Sequence, residues 1–128
     1  MRRAARTADG WLGVWMSPRR VREVRHRLDD LAAEYGRPPV AALLMVFVHV
    51  TDDLAAGHAE AAAFVRGQYG LPYESLERWV IVGDEAHVAA RLSELRAAGV
   101  EGFVLVAAAS DPLGQYRRLA AARKLIDI

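Results

Sequence analysis

The chain has 128 residues, of which 53% are hydrophobic and 26% charged, a composition typical of one globular domain rather than a disordered chain. Seventeen basic and sixteen acidic residues leave a formal charge of +1, which is too small to support non-specific nucleic-acid binding. The length excludes a complete eight-stranded β/α barrel, which needs roughly 200 residues or more.

The first part of the chain predicts a strand, a helix and a second strand. Residues 11–15 form a short apolar stretch with aromatic and β-branched side chains, which is typical of a strand. Ser17 and Pro18 then supply an N-cap and a first-turn proline, and apolar residues recur at spacings of three and four to about Tyr35. Residues 41–50 form a continuous apolar run, which favours a strand buried on both faces.

The second part predicts more helices and a third strand. The predicted helices cover about 51–67, 73–79 and 84–99, with a last one from 112, and the predicted strand covers 102–107. The apolar run at 80–82 is brief, and we do not count it as a strand. The order β-α-β-α-α-β-α indicates an α/β fold of about three parallel strands with crossover helices. We expect residues 1–128 to form a single unit.

Several other classes of protein are excluded. The longest apolar run, residues 40–50, is about half a membrane span. The residues after Met1 are polar and basic, unlike a secretory signal peptide. The sequence contains no cysteine, so disulfides and thiolate chemistry are impossible. We therefore expect a cytoplasmic protein without a membrane or nucleic-acid partner.

The histidines do not suggest a metal site. None of the four lies at the i, i+4 spacing of a helical metal pair, and no carboxylate cluster accompanies them. His49 is the exception in position, because it lies near the carboxyl end of a predicted buried strand, where parallel sheets bind ligands. Two interpretations stay open for it: a ligand contact, or a histidine satisfied by the neighbouring backbone.

The segment around the first strand is the strongest candidate for binding. Ser17 begins a helix, and helix N-termini bind phosphate through free N–H groups. Arg19 in the first turn could add a charge-assisted contact. Trp11 and Trp15 precede this turn, so a phosphate-bearing flat cofactor is chemically reasonable here. The alternative is that the tryptophans pack between sheet and helix. No nucleophile elbow, dinucleotide-binding motif or Walker motif is present.

A set of motifs along the whole chain resembles the luciferase-like monooxygenase superfamily. The segments are RAARTADGW (3–11), GRPP (36–39), VHVTDD (48–53), VGDEAHVAARL (82–92), AAGVEGFVL (97–105), and Asp111-Pro112 with Gln115. No one motif is unique to the family, but their order and spacing together are specific.

The resemblance implies part of a TIM-type β/α barrel that uses FMN or the deazaflavin coenzyme F(420). The chain resembles the C-terminal portion, with barrel strands at about 10–15, 41–50 and 102–107, and Met1 falls inside a helix that precedes the first of them. The five earlier strands, which carry much of the flavin cradle in this family, have no counterpart. No metal is implied.

The resemblance also implies site residues. Contacts to the cofactor's ribityl or phosphate tail fall on Leu12, Gly13, Val14 and Trp15, with Arg19 in addition. Residues of the substrate mouth are His49, Tyr69 and Tyr73. No catalytic acid or base can be transferred.

Three hypotheses about function follow. The chain is a piece of a flavin- or deazaflavin-dependent oxidoreductase, inactive without its N-terminal half. Alternatively, it is a non-enzymatic half-barrel, from a truncated reading frame, that associates with itself or another partner to cover its sheet. The third hypothesis is a separately encoded half-barrel that assembles with another subunit. A start within a family helix favours truncation over an evolved subunit.

Overall fold

The computed structural model describes residues 1–126 and contains parallel strands connected by helices. The helices are α1 (Arg2–Thr7), α2 (Pro18–Glu34), α3 (Leu54–Tyr69), α4 (Glu85–Ala98) and α5 (Pro112–Arg123). The strands are β1 (Gly10–Val14), β2 (Ala41–Val50), β3 (Val80–Gly83) and β4 (Gly102–Ala107). Within residues 1–126, no helix combines the length and apolar character needed to cross a bilayer. The predicted α/β class with parallel pairing is confirmed.

Most predicted boundaries lie within a few residues of those observed. The helix α2 begins at Pro18 after the Ser17 cap, and β2 covers 41–50 as expected. The helix α3 runs past Gly67, where the sequence predicted its end, to a left-handed cap at Gly70. An interior glycine costs a helix only about 1 kcal/mol, so Gly67 does not have to end it.

Two elements differ in kind from the prediction. The short strand β3, which we did not count, pairs in parallel with β2 from Val80 opposite Phe47 to Gly83 opposite Val50. The predicted helix at 73–79 is a pair of 3₁₀ turns, Tyr73–Ser75 and Glu77–Trp79. The backbone hydrogen bonds of these turns join residues that are three positions apart: the Leu76 N–H donates to the Tyr73 carbonyl oxygen at 2.9 Å.

The described residues group into two compact units. The first contains Met1–Met45 and Glu94–Val104, and the second contains Val46–Ser93 and the residues from Leu105 onward. In the first unit, β1 pairs in parallel with β2 from Gly10 opposite Ala41 to Val14 opposite Met45.

One face of the first unit's sheet packs on α2. The buried residues Val24, Leu28 and Ala42 form a core cluster, and the partly buried Trp11 and Met16 pack against it. Trp11 therefore has the packing role that the sequence offered as one of its two interpretations.

Within the first unit, Arg37 connects the segment after α2 with the C-terminal end of α1. Its guanidinium Nη1 donates to the carbonyl oxygens of Ala5 and Ala8, each at 2.9 Å. These carbonyls lie at the C-terminal end of a helix, where a cation is favoured by the helix dipole. The contact connects two of the family-like motifs, RAARTADGW and GRPP.

Candidate functional site

The carboxyl end of β1 presents apolar side chains on the sheet face opposite α2. Leu12 is 48% exposed and Val14 is 41% exposed. Because side chains alternate along a strand, these two share a face, while Trp11 and Gly13 point to the other side. Leu12 and Val14 are thus available for contact with a ligand.

Gly13 is buried, unlike its two neighbours. A Cβ atom at this position would lie 2.6 Å from Cη2 of Trp11 and would also clash with the end of the Met16 side chain. Close packing of these two side chains therefore requires glycine here. Its predicted contact with a cofactor remains a prediction.

The turn after β1 leads into the N-terminus of α2. Trp15 is partly exposed and has a φ of 55°, in the left-handed region. The Ser17 hydroxyl accepts a hydrogen bond from the Arg20 N–H at 3.2 Å and caps the helix. Pro18 occupies the first helical position, as predicted.

Arg19 is a solvated side chain in the first turn of α2. Its side chain is 87% exposed, and Nε lies 3.2 Å from the Glu23 carboxylate. Hydrogen bonds from Arg20 and Arg19 lower the pKa of Glu23. An exposed pair of this kind is weak, so a phosphate could replace Glu23 as the partner of Arg19 at little cost.

In the second unit, His49 is 3% exposed at the end of β2. Its Nδ1 lies 2.9 Å from the Ala108 carbonyl oxygen and must donate to it, since a carbonyl only accepts. Its Nε2 lies 3.5 Å from a Glu60 carboxylate oxygen. Nδ1 thus faces the backbone, as in the second of the two sequence interpretations, whereas Nε2 faces a side-chain carboxylate. Its role at a substrate mouth remains a prediction.

Glu60 in α3 connects His49 with the segment after β4. Its carboxylate accepts hydrogen bonds from the Ser110 hydroxyl at 2.5 Å and the Ser110 N–H at 3.2 Å. These bonds lower the pKa of Glu60. The carboxylate therefore stays charged opposite the imidazole at neutral pH.

The predicted mouth tyrosines lie in different surroundings. Tyr69, at the end of α3, is 37% exposed and contacts Phe47 edge-on, with ring centroids 6.0 Å apart. Tyr73 places its hydroxyl 2.9 Å from Nδ1 of His58. Burial, and then the nearby Glu77 carboxylate, raise the pKa of Tyr73 to about 12, so the hydroxyl keeps its proton at neutral pH.

His58 belongs to a cleft that the sequence analysis missed. The cleft has a volume of about 420 Å³, and its polar lining is Thr51, Asp52, His58, Asp84 and His87. The two aspartates are already engaged: Asp52 lies 3.2 Å from Arg118, and Asp84 accepts from the His87 N–H at 2.8 Å. The recurrence of His and Asp just after two strands was the available sequence signal.

Gln115 and Arg118 of α5 fix the end of β2. The Gln115 side chain accepts from the Val50 N–H at 2.7 Å and donates to the Val50 carbonyl at 2.9 Å, so it pairs with the strand end as another strand would. Arg118 forms a bidentate salt bridge with Glu85, in which Nε and Nη2 donate to the two carboxylate oxygens at 2.6 and 2.8 Å. These bonds raise the pKa of Arg118 and lower that of Glu85.

Among residues 1–126, no group of three or more His, Asp or Glu side chains is arranged to hold a metal ion. The apolar end of β1 and the cleft in the second unit are two candidate binding surfaces in the described part of the chain.

Comparison with known proteins identifies the family. The sequence model of the luciferase-like monooxygenases matches residues 1–102. The chain belongs to this family, as its motifs indicated. The search of curated proteins found no match.

Solved structures share the fold at low sequence identity. An F(420)-dependent secondary alcohol dehydrogenase in complex with an F(420)-acetone adduct matches with a TM-score of 0.81 and 11% identity, covering 98% of this chain and 46% of that one. The coenzyme F(420)-dependent tetrahydromethanopterin reductase from Methanopyrus kandleri matches at 0.68 and 17%, covering 97% and 46%. Riboflavin lyase with modified FMN and riboflavin matches at 0.71 and 12%, covering 98% and 41%. The chain thus spans about half the length of these structures.

Proposed function

We propose that the chain is the C-terminal half of a flavin- or deazaflavin-dependent oxidoreductase barrel and holds FMN or coenzyme F(420) at the carboxyl end of β1. The observation that carries the proposal is the family match over residues 1–102, which includes β1 and the turn into α2. The names of two solved structures with this fold include F(420), and a third includes FMN. When bound, the cofactor supplies hydride chemistry, and the protein positions it.

The side chains at the end of β1 fit such a cofactor. Leu12 and Val14 offer exposed apolar contact, and the partly exposed Trp15 follows them directly. Arg19 offers a solvated cation in the next turn. Gly13 would contribute indirectly, because the absence of a Cβ atom lets Trp11 and Met16 pack closely on the opposite face of the strand.

In the second unit, His49, Tyr69 and Tyr73 remain our candidates for the substrate mouth. Tyr69 is the most accessible of the three, at 37% exposed. His49 would act through Glu60 and Ala108 by holding the end of β2 in place. The Tyr73 hydroxyl would hold the ring of His58 beside the cleft.

We further propose that this chain alone does not catalyse turnover. In each of these solved structures, more than half of the chain lies outside the region that matches this protein. A flavin held by one half of a barrel would remain open to water, which weakens the electrostatic and orienting effects on which catalysis depends.

A titration of tryptophan fluorescence with FMN and with coenzyme F(420) tests the proposed cofactor site. We expect saturable quenching in the micromolar range by one of them, because Trp15 lies at the site and Trp11 lies directly behind it on the other face of β1. Arg19→Ala should weaken FMN binding by about three- to tenfold, as expected for one exposed phosphate contact. Arg22→Ala, an exposed arginine on the same helix, is the matched control and should not change it.

Absence of saturable quenching up to roughly millimolar cofactor, equivalent to less than about 4 kcal/mol of binding, would contradict the proposal.

A second candidate function is a self-associating module without enzymatic activity, and an uncovered apolar sheet face favours it. In the first unit, Leu12, Val14 and Val104 are 41–48% exposed. Leu43 of β2 lies opposite Leu12 of β1 in the parallel register. A Cβ atom at Gly102 of β4 would lie 2.8 Å from the Leu43 side chain, so the three strands contribute to one face of the sheet. Exposed apolar surfaces of this kind mark interfaces.

Sedimentation velocity tests this second candidate. If the sheet face joins two copies, the chain should dimerise at tens of micromolar and Val104→Asp should return it to a monomer, because a buried, unpaired carboxylate is costly. Leu113→Asp, at a 62% exposed position of α5, should leave the mass unchanged. A monomer at every concentration would rule out this candidate.

A further inference from the structure

Trp15 has a backbone conformation that suits glycine. Among residues 1–126, positive φ angles occur at Gly36 (64°), Gly70 (64°), Gly99 (122°) and Trp15 (55°). In this region the Cβ atom of an L-residue crowds the backbone, so bulky side chains rarely adopt it. Trp15 is the one residue of the four that has a Cβ atom.

The surroundings of Trp15 differ from those of Trp11. Trp11 packs against the core cluster of Val24, Leu28 and Ala42, whereas Trp15 lies beyond the last residue of β1 and is partly exposed. Strained backbone of this kind concentrates at ligand sites, where the surrounding structure holds it in place. Leu12 and Val14 extend the exposed apolar surface beside it.

We infer that the Trp15 indole forms a wall for the flat ring system of the flavin or deazaflavin, and that the left-handed backbone at this position serves to present it. This inference rests on the proposed function and adds a contact to the ring of the cofactor, where the resemblance implied only its tail. An indole offers a rigid, flat surface on which an aromatic ring stacks favourably. The strained backbone at Trp15 thus lowers the folding stability of the chain and favours binding of the cofactor ring.

Thermal unfolding tests the strain. Trp15→Ala removes the ring and keeps the strain, whereas Trp15→Gly removes both, so the glycine variant should melt about 3–8 °C above the alanine variant. Gly36→Ala calibrates the effect, because a Cβ atom there meets nothing within 4 Å and adds strain alone. It should lower the midpoint by a similar amount. A glycine variant that melts at or below the alanine variant would overturn the inference.

Equilibrium dialysis tests the ring contact, since it does not depend on tryptophan fluorescence. Trp15→Ala and Trp15→Gly should bind FMN or coenzyme F(420) at least about tenfold more weakly than the unmodified chain, and Trp15→Phe should bind within about threefold. Lumiflavin, which has the flavin ring without the ribityl phosphate, should show the same loss. A loss with FMN that is absent with lumiflavin would place Trp15 at the tail and overturn the ring contact.

The two proposals fail in different ways. If the unmodified chain binds neither cofactor, the proposed function fails and the ring contact fails with it. If the unmodified chain binds a cofactor and Trp15→Ala binds it equally well, only the inference about Trp15 fails. In both cases the Gly36→Ala measurement still gives the cost of a left-handed alanine in this protein.

Discussion

Replacing Gln115 by leucine is expected to lower the free energy of unfolding by about 1–3 kcal/mol, the cost of one buried polar group left without a partner. The Val50 N–H loses its partner, whereas the Val50 carbonyl keeps a hydrogen bond from Nη1 of Arg118 at 3.4 Å. The Gln115 side chain is 9% exposed and satisfies both the N–H and the carbonyl of Val50. Leucine has nearly the same volume, so the loss should come from hydrogen bonding and not from a cavity. Urea unfolding followed by circular dichroism gives the change.

Gln68→Leu is the matched control for this prediction. It makes the same chemical change at an exposed position of α3, where surface substitutions usually alter stability by less than about 0.5 kcal/mol. Equal stability of the two variants would show that the side-chain bonds to Val50 do not hold the end of β2.

Truncating Leu28 to alanine is expected to cost about 2–5 kcal/mol, the range for large-to-small changes in a close-packed core. Leu28 is fully buried in α2 and belongs to the cluster that supports Trp11 behind β1. The cavity should also loosen Trp11, so its fluorescence should become more accessible to a neutral quencher such as acrylamide. Chemical denaturation measures the first effect, and quenching measures the second.

Leu113→Ala serves as the control, because Leu113 lies on α5 and is 62% exposed. The change there should cost less than about 0.5 kcal/mol. A Leu28→Ala variant as stable as this control would mean that the cluster behind β1 is not close-packed.

Much of the fold could be predicted because its signals are local. Ser17-Pro18 marks the start of α2 through capping chemistry, and the run at 41–50 marks β2 through its continuous apolar character. The strand β3 has four residues, and its pairing with β2 is a tertiary interaction without local signal. The end of α3 at Tyr69 depends on the left-handed Gly70, which competed with Gly67 as a stop.

The site was harder to predict, since its contacts join distant residues. The hydrogen bond between His58 and Tyr73 depends on how the chain folds back after α3. His49 and Phe47 likewise contact Ala108 and Tyr69 only in the folded chain. The left-handed conformation of Trp15 is not encoded by its residue type, which disfavours that conformation.

The proposed binding of a flavin or deazaflavin at the carboxyl end of β1 can be tested residue by residue. Backbone amide chemical shifts, recorded while FMN or coenzyme F(420) is added to the 128-residue chain, test it most directly. We predict that the largest shifts fall on residues 12–19. Shifts that are absent, or confined to the cleft around His58 and His87, would contradict it.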